Sequence, residues 1–243
     1  MPKIYPLGGE VSWNEDEGVL GVVGVAPWAT IEFCKIFYGK IEASKDWHYP
    51  RVLLDINTKL PSRGRYFQLG ETDPSPYIAA TIYELYEQGA TIAVVPCNTA
   101  HILYDRWGKD APIPVLNIVS ETLDLVNSAG IKKIACLTSS DLAKYDLFGK
   151  MSLEMGIQSI ELGTQKQNLV SSIIEDVKRN GMIGIKNQVD LDLMIIDLKM
   201  SGIRAAVLGC TELSSLSDHF DRHDIQTFDS NEALAEAARK RLM

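Results

Sequence analysis

Two stretches of this 243-residue chain read alike: ELYEQGATIAVVPCNT, residues Glu84–Thr99, and DLKMSGIRAAVLGCTE, residues Asp197–Glu212. Each runs acid, leucine, glycine, apolar run, cysteine. Gly89 precedes Cys97 by eight residues, and Gly202 precedes Cys210 by eight. Glu84 and Asp197 each stand thirteen residues before their cysteine. Glycine commonly closes a helix, because the left-handed conformation costs it nothing. A short apolar run after it reads as a buried strand. Helix–glycine–strand units resemble one another cheaply, but a cysteine at the same offset in both is a stricter match. The copies lie 113 residues apart, nearly half the chain. Two related α/β halves are therefore expected, each ending a strand in a thiol.

The rest of the chain extends the alternation. Strands are predicted at Val19–Val25, Arg51–Asn57, Ile92–Pro96, Pro114–Ile118, Lys132–Leu137, Ser159–Leu162, Ala205–Leu208 and Ile225–Phe228. Helices are predicted at Pro27–Ala43, Pro74–Gln88, Glu121–Ser128, Leu142–Met155, Gln167–Asn180, Leu191–Met200 and Asn231–Leu242, with another starting just after Cys97. Strand runs that are apolar on both faces and alternate with helices imply parallel sheets covered by helices.

Composition narrows the function. The chain is 46% hydrophobic and 23% charged, as an ordinary globular protein is. Its formal charge of −8 argues against a nucleic-acid or anionic-membrane partner. A local Arg or Lys can still receive a small anion. Residues Met1–Glu17 lack a basic start followed by an apolar run, so no signal peptide is expected. No apolar run approaches membrane-spanning length. Cys34, Cys97, Cys136 and Cys210 are far apart, with no Cys-x-x-Cys. Neither a disulfide framework nor a metal site is expected, and reduced cytoplasmic thiols are the default.

In an open α/β sheet, ligands bind beyond the carboxyl ends of the strands. Cys97 and Cys210 sit at such ends, each before a predicted helix start whose positive field should acidify the thiol. Two opposed thiols suit two-base racemisation. One as thiolate takes a proton from carbon, and the other as thiol returns one to the opposite face. Cys34 and Cys136 read as small buried hydrophobes.

The motifs PCNTAH and LGCTEL together resemble the aspartate/glutamate racemase superfamily, which works without pyridoxal phosphate. Cys210-Thr211-Glu212 is similar to the aspartate racemase branch, whereas glutamate racemases follow the second cysteine with Thr-His. The resemblance runs from about Gly18 to the C-terminus. It implies an α/β fold of two pseudo-symmetric Rossmann-like parallel-sheet halves with the active site in the cleft between them. Residues 1–17 would be a tail, 18–119 plus 222–243 the half carrying Cys97, and 120–221 the half carrying Cys210. It also implies catalysis by Cys97 and Cys210 on aspartate or glutamate, with no cofactor, in a cytoplasmic homodimer.

Site residues carry over where the motifs match. Pro61-Ser62-Arg63 resembles the family's Pro-Asp-Arg, so Arg63 would clamp a substrate carboxylate. Val177-Lys178 with Gly181 resembles its Val-Lys-x-Gly, making Lys178 a second cation. Asn98, Thr99 and Thr211 would donate hydrogen bonds to substrate, Glu212 would orient or tune Cys210, and His101 would support Cys97 or simply be packed. Two departures stand out. The first loop, Gly21–Pro27, is bulkier than the family's GGMGP, and Ser62 replaces the usual Asp. Other readings remain open at this stage: a related isomerase, decarboxylase or hydantoin-type racemase on the same scaffold, a cysteine hydrolase using Cys97 and His101, or a non-catalytic acidic amino-acid binder.

Overall fold

The computed structural model describes residues 17–243. The expectations for an N-terminal tail and for no signal peptide fall largely on residues 1–16, outside the described residues. The chain divides into two compact units. One comprises the described residues up to Pro96, with Leu103–Asn117 and Leu234–Met243; the other comprises Cys97–Ile102 and Ile118–Ala233.

In chain order, the first unit holds β1 (Leu20–Gly24), α1 (Pro27–Gly39), β2 (Val52–Ile56), α2 (Arg63–Leu69), α3 (Ser75–Glu87), β3 (Ile92–Val94) and α4 (Tyr104–Trp107). Its three strands are parallel in the order β2-β1-β3. Phe33 and Phe37 of α1 and Ile78, Ile82 and Leu85 of α3 are fully buried, or nearly so.

The second unit holds α5 (Ile118–Ser128), β4 (Lys133–Thr138), α6 (Ser140–Tyr145), α7 (Leu147–Glu154), β5 (Gln158–Ile160), α8 (Gly163–Asn180), α9 (Ile185–Met200), β6 (Ala205–Gly209), α10 (Ser217–Asp221) and β7 (Gln226–Asp229). The last helix, α11 (Ser230–Leu242), starts in the second unit and ends in the first. Four parallel strands run in the order β5-β4-β6-β7. Side chains alternate across a strand, so Ala135 and Leu137 of β4 share one face. They join Ala206 and Leu208 of β6 in one core with Val170, Ile173 and Ile174 of α8 and Leu191, Ile195 and Leu198 of α9. The spacing of those helical residues is what makes one apolar stripe on each helix. Burying each such side chain contributes about 1.5–3 kcal/mol.

The repeated motif has the same local structure twice. Gly89 has φ 101° and Gly202 has φ 80°, both left-handed. In the first copy the amide of Ala90 donates to the Leu85 carbonyl at 3.0 Å; in the second, Ile203 donates to Leu198 at 3.0 Å. This is the six-to-one bond of a glycine-closed helix end. It turns each helix directly into its strand.

Several expectations need correction. Pro114–Ile118 forms only an isolated bridge, Ala93 to Val115, before α5 begins. The single helix expected at Leu142–Met155 breaks at Asp146, which adopts φ 51°, and becomes α6 and α7. The helix after Cys97 is a 3-10 turn, Asn98–Leu103. Residues 97–102 and 222–233, read from sequence with the first half, group with the second unit. The physical reason is plain for the latter, since β7 hydrogen-bonds to β6. Among the described residues no helix is long and apolar enough to cross a membrane.

Gly202→Ala tests the helix closure. A Cβ there meets nothing within 4 Å, so only the left-handed backbone resists it. The variant should lose about 1–2 kcal/mol by urea denaturation. Gly39→Ala, equally uncrowded but without a positive φ, should lose nothing.

Candidate active site

Cys97 follows β3 by three residues, and Cys210 follows β6 directly. Both precede a six-residue 3-10 turn, Asn98–Leu103 and Thr211–Leu216. Cys97 is partly accessible, and Cys210 is 7% exposed. Of the site residues read from sequence, Cys97, Asn98, Thr99, His101, Lys178, Cys210, Thr211 and Glu212 all belong to the second unit. Ser62 and Arg63 belong to the first.

The surroundings of Cys210 are electrostatic. Its Sγ donates to Glu212 Oε2 at 3.0 Å, and the Thr211 hydroxyl donates to the same oxygen at 3.5 Å. Glu212 is buried, at the start of the turn against which α8 packs. Burial pushes the Cys210 thiol well above its ordinary value. The charge of Glu212 and the bond to it push further, Lys178 works the other way, and the charge of Cys97 adds to the rise. The thiols therefore lie within electrostatic range of each other. The expectation of an acidified Cys210 is corrected: a short 3-10 turn supplies little positive field, and burial beside a carboxylate outweighs it.

Lys178 lies in the last turn of α8 and bonds Glu175 at 3.2 Å. Burial lowers its pKa, but Glu212, Cys210 and Glu175 together hold it above the usual lysine value. It is thus a firm cation whose field reaches Cys210 and Glu212, rather than a lysine facing water alone.

Around Cys97 the contacts are polar. His101 is buried, and its Nδ1 bonds the carbonyl of Cys97 at 2.9 Å, which is the packed, hydrogen-bonded reading. Thr99 Oγ1 bonds Ser139 Oγ at 2.9 Å. Asn98 Nδ2 donates to Ser230 Oγ at 2.8 Å, and Ser230 donates to the Leu208 carbonyl at 2.9 Å. Asn98 Oδ1 is buried without a partner.

Sequence reading missed Ser139, Asp229, Ser230 and Asn231. The last three, at the end of β7 and the start of α11, form a buried polar junction. Asp229 Oδ1 accepts from the Asn231 amide at 3.0 Å and from Ser214 at 3.0 Å. Asn231 Nδ2 donates to Ser214 Oγ at 3.1 Å and to the Thr211 carbonyl at 3.4 Å. The junction thus touches the residue after each cysteine. The available signal was a run of small polar residues, Asp-Ser-Asn, at a strand end, which reads equally well as a helix start.

Ser62 caps α2, accepting from the Arg65 amide at 3.3 Å. Arg63 donates to the carbonyls of Val25 at 3.0 Å and Pro61 at 3.5 Å, while its buried Nε has no partner. Cys34 and Cys136 are both held as thiols by burial. That of Cys136 is pushed up to about 12, against a bond from Ser159 at 3.4 Å that lowers it. A cavity of about 970 Å³ lies against β5, lined by Cys136 and Phe148, and none of the site residues lines it. Among the described residues no group of three or more His, Cys, Asp or Glu could hold a metal ion.

Comparison with known proteins then gives a consistent result. The family model Asp/Glu/Hydantoin racemase matches residues 22–238. The chain is 23% identical over 207 residues to the broad specificity amino-acid racemase RacX of Bacillus subtilis (strain 168), covering 85% of this chain and 87% of that one. Its fold is similar to Picrophilus torridus aspartate racemase, with TM-score 0.82, 23% identity, and 92% and 93% of the two chains covered. It is also similar to glutamate racemase from Francisella tularensis, solved with D-glutamate, with TM-score 0.63, 14% identity, and 93% and 81% covered.

The charge balance at Cys210 is testable by alkylation in a background where the other three cysteines are replaced. Glu212→Gln removes a negative neighbour, so Cys210 should ionise at lower pH and alkylate faster near neutrality. Lys178→Met removes a positive neighbour, and the profile should move to higher pH. The same shift in both variants would show that neither charge acts on this thiol.

Proposed function

This chain belongs to the Asp/Glu/Hydantoin racemase family and is an isomerase, and we propose that it racemises aspartate, with glutamate as the nearest alternative, by proton transfer between Cys97 and Cys210. The observation that carries the reading is a pair of thiols in the same unit, each following a strand and each preceding a six-residue 3-10 turn, with Cys210 bonded to a buried carboxylate. Cys210 rests as the neutral thiol. In one direction the Cys97 thiolate takes the α-proton: the C–H bond breaks, an S–H bond forms, and the electron pair passes into the α-carboxylate. Cys210 then gives its proton to the opposite face of the carbon and is left as thiolate. Glu212 disfavours that thiolate, which speeds the reverse transfer, while Lys178 keeps it attainable. The roles exchange for the other enantiomer.

The α-proton is a very weak acid, so the developing carboxylate charge needs preorganised donors and cations. Lys178, Thr99 and Thr211 are proposed for this in the second unit. Arg63 is proposed on sequence grounds as the second cation, with Ser62 acting through the cap of its helix. The relatives support an amino-acid substrate, since each is named a racemase of an amino acid. The Thr-Glu pair after Cys210 favours aspartate. The homodimer and the cytoplasmic location belong to the same proposal.

Incubating each enantiomer of aspartate and glutamate in D2O without added cofactor should yield both enantiomers carrying α-deuterium. Cys97→Ala and Cys210→Ala should each lower racemisation by about 100-fold or more. Absence of exchange with either amino acid would sink the substrate assignment. Full activity in Cys210→Ala would sink the two-thiol mechanism.

A further inference from the structure

Helix α9 is apolar on two opposite faces. Leu191, Met194, Ile195 and Leu198 pack into the core with α8 and the sheet. Ile185, Val189, Leu193, Ile196 and Met200 lie on the other side and are 41–83% exposed. At 3.6 residues per turn these five fall within about 80° of arc, a single stripe along the helix. Met182, just ahead of the helix, is exposed as well. Together they leave on the order of 700 Å² of apolar surface uncovered, above the ~300–600 Å² of the largest patch on a typical monomer. Three of the flanking charges are already engaged within the chain. Asp197 pairs with Lys166 of α8 at 2.7 Å on one side. Asp192 pairs with His219 at 2.9 Å and Lys199 with Asp224 at 2.8 Å on the other. An apolar centre inside a satisfied polar rim is the anatomy of a protein interface.

Charge, symmetry and area choose the occupant. The rim sets Asp190, Asp192 and Asp197 against Lys186 and Lys199, whereas helices that lie on membranes are rich in Lys and Arg there. The stripe reads nearly the same from both ends. Ile185 stands eight residues before Leu193 and Met200 seven after; Val189 stands four before and Ile196 three after. A two-fold axis near Leu193 would therefore lay the stripe antiparallel on a second copy of itself, with Ile185 on Met200, Val189 on Ile196 and Leu193 on Leu193. Lys186 of each copy would fall within a turn of Asp197 of the other. The area is close to the ~800 Å² per partner of a standard interface. Resting on the homodimer proposed above, we infer that α9 is the face through which two copies of this chain pair, antiparallel about Leu193.

Sedimentation equilibrium of the full chain reads the pairing. The wild type should weigh as two chains at micromolar concentration. Leu193→Asp meets its own copy across the axis and should raise the dimer dissociation constant about thirtyfold or more, the size of an interface hot spot. Leu153→Asp on α7, off the stripe and 74% exposed, should leave the dimer intact. Both side chains are exposed, so the far-ultraviolet circular dichroism of each variant should match the wild type. On oxidation, Leu193→Cys should crosslink to its own copy, with the wild type as control. Ile185→Cys should not, since antiparallel pairing holds it roughly 20 Å from its counterpart at 1.5 Å rise per residue. A dimer that Leu193→Asp does not weaken would overturn the inference and leave the homodimer standing on another face. A wild type that sediments as a single chain would overturn both and leave the stripe to a different protein. Crosslinking of Ile185→Cys would overturn the antiparallel arrangement.

Discussion

One buried hydroxyl connects the end of β6, which leads to Cys210, with the turn that follows Cys97. Ser230 donates to the end of β6 and accepts from the residue after Cys97. Its neighbours Asp229 and Asn231 hold the turn after Cys210 through Ser214 and the Thr211 carbonyl. All three are at most 5% exposed, so each bond is made where water cannot replace it. Short 3-10 turns have few internal hydrogen bonds and poor geometry. Their positions must be set from outside, and the polar junction where β7 meets α11 does that for both.

The electrostatics follow from the same packing. Cys210 belongs to the apolar core formed by α8, α9 and the sheet. A thiol placed there stays protonated, because its charged form loses water and gains little. Glu212 strengthens that preference, and Lys178, carried by α8 to the same place, moderates it. Family membership supplies the reaction class; the opposing influences of Glu212 and Lys178 describe the electrostatic setting of Cys210.

Much of the fold was legible because it depends on local rules. Gly89 and Gly202 mark helix ends that only glycine adopts without strain, and the apolar runs after them form β3 and β6. The misreadings were of elements decided by distant partners. Pro114–Ile118 has strand composition but finds only one bridging partner. Asp146 breaks a continuous helical pattern through a left-handed conformation that no sequence period announces. In the site, Cys97, Cys210 and Glu212 were legible as motif residues, while Ser139, Ser230 and Asn231 were not. Serine and asparagine at strand ends are common, and their meaning depends on what the chain brings opposite them.

The sequence by itself determined the parallel α/β class, the two thiols at strand ends and the family, because each rests on residues close in the chain or on a repeated spacing. Tertiary structure alone decided that Cys210 is raised and not acidified, that β7 adds to the second sheet, and that Asn98 turns its donor to Ser230. The reason is the same in each case. Desolvation, strand pairing and the direction of a hydrogen bond are properties of groups far apart in sequence, and for Asn98 and Ser230 that separation is 132 residues.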